Sequence, residues 1–490
     1  MLQSRHSVLT KSLHARCFAL GLMSILQHMT KLFLTAMPAL VIMVFSACSL
    51  SRRAAVAPVT AQVAMAAPAR PVTPPRIFSD TPFSSAHVGL CVYDVAADKY
   101  VYDYQSDKYF VPASNTKLFT LYTGLKYLND SLPGIYYREN ADTLFLFPAG
   151  DPTFLHPDYT KQPVVEKLQK TRKRVVLINN AWKEEALGPG WSWDDYNDSY
   201  AAERSPLPVY GNTIKWIQAA QKNTQPELHD SLQTFVYSDP EVDWKVTFVD
   251  DTANKTFFVQ RRKAENYFSL RQGKENYKEQ LVPFITNGVA SAIRLLKDTV
   301  GKEIVVLEEA PAAGARSVIR SQPVDSMLRP MMYRSDNFFA EQTLLMAGYE
   351  KLQRMQDAPM IDTLLKSDLK EVPQLPHWVD GSGLSRYNLF TPQDFVWILR
   401  KMKDEFGLNR MERILPGSDQ GTLANYYKDI KGDFFAKTGT LYGVVALSGY
   451  MTTRSKKLLI FSVLVNNHQS SGTAVRRGVE KFLLDLWRSY

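Results

Sequence analysis

Three cysteines in 490 residues, Cys17, Cys48 and Cys91, are too few and too scattered for a disulfide framework. No CxxC pair and no Cys/His cluster occurs, which argues against a metal held through sulfur. HExxH is absent, so nothing points to a zinc peptidase. GxSxG is absent as well, and none of the eight histidines stands in a recognisable site context. A Ser-His-Asp hydrolase is therefore unsupported. Charge of one sign does not accumulate either. The net charge of +9 comes from scattered Lys and Arg. The densest run, Lys170–Arg174, reads as a solvated face and not as a nucleic-acid surface. There is no internal repeat.

What is present describes a globular chain, 45% hydrophobic and 22% charged, with 12% aromatic residues to build a core. Its length fits two or three domains. HVGLCVYDV and KYVYDYQ alternate as paired strands around a turn at Ala96–Asp98. In FVPASNTKLFTLYTGLKYL the period changes: Leu118, Leu121, Leu125 and Leu128 recur at three and four, one face of a helix. Short strand-like runs and polar turns occupy 135–280, read as an inserted β-rich region. Helical patterns return at NGVASAIRLLKDTVG, 324–333 and FFAEQTLLMAGYEKL. DFFAKTGTL, VVALSGYMTT and KLLIFSVLVNN read as successive strands, and GTAVRRGVEKFLLDLWRSY as an amphipathic helix. The expected fold class is α/β (α+β), a mostly antiparallel sheet flanked by helices.

The first eighty residues differ in character. From Met29 the chain reads MTKLFLTAMPALVIMVFSAC: a basic Lys31, an apolar stretch, small residues and then Cys48. That is the layout of a secretory signal peptide over 29–47. Residues 1–28 read as an upstream extension, with Met29 as the start. A cysteine directly after Ser46 and Ala47 resembles a bacterial lipobox, with Cys48 as the lipidated residue that anchors the chain to a membrane, although Phe45 stands where leucine is usual. Cleavage nearby and an uncleaved anchor are the alternatives. Each places the rest of the chain outside the cytoplasm. Residues 48–79, rich in Ala and Pro, form a linker.

Three short motifs then occur in order. Ser114-Asn115-Thr116-Lys117 puts an amine three residues after a hydroxyl, on one face of a helix. A serine hydroxyl needs an adjacent base, and lysine serves when desolvation and positive neighbours keep it neutral. Ser335-Asp336-Asn337 supplies a second hydroxyl for proton relay and a side-chain amide for a substrate carbonyl. Lys437-Thr438-Gly439 and Thr440 lie on an expected strand. Lys437 and the hydroxyls suit a carboxylate, and Gly439 leaves the strand edge open to a peptide. The backbone N–H groups of Thr440 and Ser114 would form an oxyanion hole. SxxK alone is expected about twice by chance in such a chain, and KTG about 0.1 times. In order, and on a helix and a strand, they carry weight that none carries alone. The trio is the one shared by β-lactamases and penicillin-binding proteins.

Further segments sharpen the match: VPASNTKLFT, GDPTF (150–154), GPGWSWDDYNDSYAAERSPLPVYGN (188–212), YRSDNFFAEQ, DGSGLSRYN (380–388), LPGSDQGTL and AKTGTLYGVVALSGY. With them the sequence, from about residue 85 onward, resembles the D-alanyl-D-alanine carboxypeptidase/endopeptidases of peptidase family S13, the class C low-molecular-mass penicillin-binding proteins. The 221 residues between Ser114 and Ser335 fit that family, which inserts domains there. The resemblance implies a penicillin-binding domain of the β-lactamase/transpeptidase type over 80–134 and 281–490, interrupted by inserted β-rich domains over 135–280. It implies a serine D-Ala-D-Ala carboxypeptidase or endopeptidase acting on peptidoglycan stem peptides, with β-lactams as covalent inhibitors and no cofactor, metal or nucleic acid. It also implies that Asp195 and Arg386 bind the side chain of the stem peptide's third residue, with Trp191 and Trp193 as pocket walls. Leu441 and Tyr442 differ among relatives, so substrate preference is not implied. A β-lactamase or esterase on the same scaffold, and a silent cell-wall binding lipoprotein, are the competing readings.

Overall fold

The computed structural model describes residues 76–222, 232–250, 254–310 and 314–490. The signal segment, Cys48 and most of the linker lie outside the described residues. Among the described residues no helix is long and apolar enough to cross a membrane.

Alternation along His87–Asp94 sorts the main sheet's two faces. Leu90 and Val92 point to one side, Cys91 and Tyr93 to the other, and all four are buried. Both sides are covered because the strand is internal. The order is Phe434–Leu441, Val444–Thr452, Leu458–Asn466, His87–Asp94, Lys99–Tyr104, every pair antiparallel. On one face, Val88, Leu90, Val92, Phe461 and Val463 pack against Val475, Val479 and Leu483 of the C-terminal helix Gly472–Ser489. On the other, Cys91, Tyr93, Ile460 and Leu464 meet the helices Lys117–Tyr127, Val324–Tyr333, Asn337–Leu352 and Pro392–Phe406 through Leu118, Leu121, Phe339, Leu344 and Phe395. Each such side chain contributes about 1.5–3 kcal/mol on burial, so the helices are clamped to the sheet.

Between the two halves of this α/β layer structure runs a segment with its own sheets. One has the order Ile304–Leu307, Arg174–Ile178, Thr143–Pro148, Ser131–Glu139, Ser317–Pro323. Its first three strands in this order form two parallel pairs, unlike the main sheet. Parallel neighbours need a crossover, and the helix Pro163–Lys170 supplies one. Two three-stranded sheets complete the segment. The helix Ala290–Val300, placed by the sequence pattern after the insertion, buries Ala292, Leu295 and Leu296 in the core shared by these strands. Pairing of Ser317–Pro323 with Ser131–Glu139 carries this sheet's strands on to residue 323.

Candidate active site

Ser114 lies in a 3-10 turn, Ala113–Thr116, directly ahead of the helix Lys117–Tyr127. The turn begins with Ala113 at φ +49°, a left-handed conformation that costs a non-glycine residue of order 1 kcal/mol or more. Neighbours hold it there. Asn115 donates to the Ser448 hydroxyl at 2.7 Å, which donates on to Ser462 at 2.8 Å. That chain ties the turn to the middle of the sheet. Gly383 packs against it from the other side. A Cβ on Gly383 would sit 1.9 Å from the Ala113 carbonyl oxygen, and its φ is +81°.

The i to i+3 spacing does what geometry requires. Lys117 Nζ donates to Ser114 Oγ at 3.2 Å, to Asn337 Oδ1 at 2.6 Å and to the Ser382 carbonyl at 2.7 Å. Lys117 is wholly buried. Burial lowers its pKa to about 8, against the opposing pull of Asp380, Glu341 and Asp336. An amine with that pKa is partly neutral near pH 7 and has a lone pair for the serine proton.

Each residue of Ser335-Asp336-Asn337 has a separate structural place. Asp336 caps the helix Asn337–Leu352 by accepting from the Phe339 N–H at 3.0 Å, a contact worth about 1 kcal/mol. Ser335 stands just before the cap at φ +59°, and Asn337 is the first helical residue. Ser335 Oγ accepts from Lys437 Nζ at 2.8 Å, and Lys437 also donates to the Thr438 carbonyl at 2.6 Å. Burial, with the nearby Lys117 charge, pushes the Lys437 amine well below its usual range.

Lys437 belongs to the edge strand Phe434–Leu441. Gly439 on that strand packs against the turn that carries Ser114. A Cβ there would meet the Pro112 carbonyl oxygen at 2.6 Å and the Asn115 nitrogen at 3.2 Å. The missing side chain at this residue makes room for the turn. Thr438 donates to the Thr422 hydroxyl at 2.8 Å, and exposed Thr440 accepts from Arg476 at 3.0 Å.

The geometry thus brings Ser114, Lys117 and Asn337 into one hydrogen-bonded cluster and Ser335 with Lys437 into another. The lysines of the two lie close enough for one charge to perturb the other. Comparison with known proteins bears on what such a cluster does. The family model described as D-Ala-D-Ala carboxypeptidase 3 (S13) matches residues 76–486. The chain belongs to the D-Ala-D-Ala carboxypeptidase 3 (S13) family. Relatives include the D-alanyl-D-alanine carboxypeptidase DacB of Haemophilus influenzae, 23% identical over 79% of this chain and 86% of that protein. The D-alanyl-D-alanine carboxypeptidase of Actinomadura sp. (strain R39) is 25% identical over 80% of each chain. Among solved structures, penicillin binding protein 4 (dacB) from Haemophilus influenzae superposes with a TM-score of 0.67 at 19% identity, covering 84% of this chain and 99% of that one. The protein is an enzyme of this class, a serine D-Ala-D-Ala carboxypeptidase with the α/β fold of that structure.

In this S13 enzyme, the two residues implied only by resemblance stand apart from the cluster. Asp195 is half-buried on the turn Asp195–Asn197. Burial, with the Asp194 and Asp198 charges nearby, raises its carboxyl, and the Tyr200 hydroxyl donates to Asp198 at 3.2 Å. Tyr200 does reach the cluster, because its carbonyl accepts from Asn337 Nδ2 at 2.9 Å. One amide hydrogen meant for substrate is thereby engaged. Exposed Arg386 donates to the Tyr442 carbonyl at 3.0 Å, in the turn after the lysine strand. Asp195 and Arg386 form no ion pair with each other among the described residues. Trp191 donates to Asp380 at 3.0 Å, while Trp193 is largely exposed, with Lys263 over its ring.

Sequence reasoning missed the support behind Lys117. Asp380 accepts from Gly383 N, Ser385 N, Asn388 Nδ2 and Trp191 Nε1 at 2.7–3.0 Å. These bonds fold the loop that offers the Ser382 carbonyl to Lys117. Glu341, one turn along from Asn337, accepts from Ser382 N at 2.7 Å. Burial pushes its carboxyl up to about 8. Arg204, also buried, reaches Asp357 at 2.6 Å, Glu184 at 3.3 Å and Glu341 at 3.5 Å. DGSGLS and AERS lie within the segments that carry the family resemblance, but a backbone carbonyl acceptor has no signature in the sequence. Among the described residues no group of three or more His, Cys, Asp or Glu is placed to hold a metal ion.

Proposed function

We propose that Ser114 is the nucleophile and Lys117 its base in a two-step acyl transfer on D-Ala-D-Ala stem peptides of peptidoglycan. The observation that carries this reading is the buried Lys117 amine, 3.2 Å from the Ser114 hydroxyl with its pKa brought down to about 8. Ser114 Oγ attacks the D-Ala carbonyl as its proton passes to Lys117 Nζ. The oxyanion forms against the backbone N–H groups of Ser114 and Thr440. Ser335, whose hydroxyl is held by Lys437, relays that proton from Lys117 to the leaving amine, the C–N bond breaks, and Lys117 is neutral again. Water then attacks the acyl-enzyme, giving its proton back through the same base and freeing the Ser114 hydroxyl. Asn337 orients Lys117 and presents its remaining amide hydrogen to the substrate. Lys437, Thr438, Gly439 and Thr440 form the wall along which the terminal carboxylate lies. Asp195 and Arg386 serve the third residue of the stem peptide.

β-Lactams would acylate the same serine. One solved structure of the Haemophilus influenzae relative is a complex with a β-lactam, which supports this extension. We further infer an extracytoplasmic location, from the signal-like segment at 29–47, with Cys48 as a lipid anchor. We also divide the chain into a penicillin-binding domain interrupted by inserted sheets. A mass of the mature N-terminus tests the anchor: an unmodified peptide spanning Cys48 rules it out. The reaction is tested with purified muropeptides. Release of D-alanine from monomers, or splitting of cross-linked dimers, is expected. An enzyme that leaves both intact while hydrolysing penicillin rapidly would be a β-lactamase instead.

A further inference from the structure

Beside the lysine strand stands a guanidinium that the motif reading does not use. Arg476, half-buried on the C-terminal helix, donates from Nη2 to the Thr440 hydroxyl at 3.0 Å. Thr438 and Thr440 share one strand face, because alternate residues do. Arg476 lines a small cleft together with Thr438 and Thr422. It also borders a wider one with Tyr442, His468 and Gln469. No acidic side chain lines either cleft. Among the described residues Arg476 forms no ion pair, whereas its neighbour Arg477 is paired with Glu480 at 2.6 Å.

The other cation at this strand is poorly placed to serve a carboxylate alone. Lys437 Nζ already donates to Ser335 Oγ and to the Thr438 carbonyl. Burial and Lys117 also press it toward its neutral form. A carboxylate arriving at the two threonine hydroxyls therefore needs a cation that stays charged. A guanidinium does so at any working pH and offers a forked donor pair that matches a carboxylate.

Resting on the assignment of Ser114 as nucleophile, we propose that Arg476 recognises the carboxylate on the leaving-group side of the scissile bond, seating it against the Thr438 and Thr440 hydroxyls. The substrates so selected are peptides whose leaving amine carries a free α-carboxylate, and amidation of that carboxylate removes the handle. Arg476 is thus a specificity residue for the second partner of the bond, as Asp195 and Arg386 would be for the first.

The test compares an acyl-D-Ala-D-Ala peptide ending in a carboxylate with the same peptide ending in a carboxamide. The readout is the ratio of kcat/KM for the two. The wild-type enzyme favours the carboxylate. Arg476→Ala and the closer-fitting Arg476→Gln lower that ratio by about tenfold to a hundredfold, the range of a charge-assisted hydrogen bond, while Arg476→Lys retains most of it. A ratio unchanged within about twofold, in variants that melt like the wild type, overturns the proposal. If Arg476→Ala does not fold, the Gln and Lys variants give the same comparison. Intact mass after penicillin treatment separates the two levels of the argument. With a penicilloyl adduct on wild-type Ser114, an unchanged ratio sinks only the role of Arg476. Absence of that adduct sinks the nucleophile assignment.

Discussion

Raising the pH from 6 to 9 should accelerate acylation steeply, then let it level off. In the proposed mechanism the neutral amine of Lys117 takes the Ser114 proton. With a pKa of about 8, its neutral fraction is about 1% at pH 6, about 10% at pH 7 and about 90% at pH 9. An ordinary lysine at 10.5 would be neutral to only about 0.03% at pH 7, so burial raises the active fraction roughly 300-fold. The sign follows from the cause. Desolvation disfavours the charged form, so the proton leaves at lower pH than in an exposed lysine. The assay is the second-order rate of penicillin acylation at constant ionic strength, read by quenched-flow mass measurement. The expected profile rises about tenfold between pH 6 and 7 and bends near 8. A flat profile, or one still rising at pH 10 with its inflection near the value of a free lysine, would refute Lys117 as the base.

Three substitutions probe the packing that holds the site. Gly439→Ala should lower acylation about a hundredfold, the cost of roughly 1 Å of misplacement, because its Cβ lands 2.6 Å from the Pro112 carbonyl of the nucleophile turn; unchanged acylation kinetics would contradict this. Gly383→Ala should destabilise the fold by about 2 kcal/mol or more, since both its φ of +81° and a 1.9 Å approach to Ala113 O forbid a side chain; the check is the denaturant midpoint. Arg204→Met should cost about 3–5 kcal/mol by leaving Asp357, Glu184 and Glu341 buried without their cation. That deficit should be larger at pH 8 than at pH 5. Carboxyls deprived of a cation have folded pKa values raised above the unfolded ones, so their penalty appears as pH rises and they ionise. A deficit independent of pH would show that lost packing, not charge, is responsible.

The strands and helices around the nucleophile were legible because their patterns are local. Leu118, Leu121 and Leu125 follow the helical period, and all three are buried in the Lys117–Tyr127 helix. His87–Asp94 and its partner appear where alternation placed them. The contact of Lys117 with Ser114 follows from an i to i+3 spacing that needs no tertiary information. What escaped depends on distances between elements. Gly439 was read as room for a peptide, and its close packing against the serine turn escaped because a sequence does not show which elements meet. The Ser382 carbonyl escaped because every residue has one. The Tyr200 carbonyl on Asn337 escaped because it comes from a segment 137 residues away. The parallel pairs of the second sheet were hidden because short apolar runs look alike in either direction.

The proposed chemistry starts from a single oxygen, Ser114 Oγ. Digesting the protein after exposure to penicillin and locating the penicilloyl mass by peptide sequencing tests it most directly. The adduct should fall on Ser114 in the wild-type enzyme, and Ser114→Ala, folded as judged by its melting curve, should carry none. Persistent covalent labelling of Ser114→Ala would contradict the central claim, whatever residue took the label.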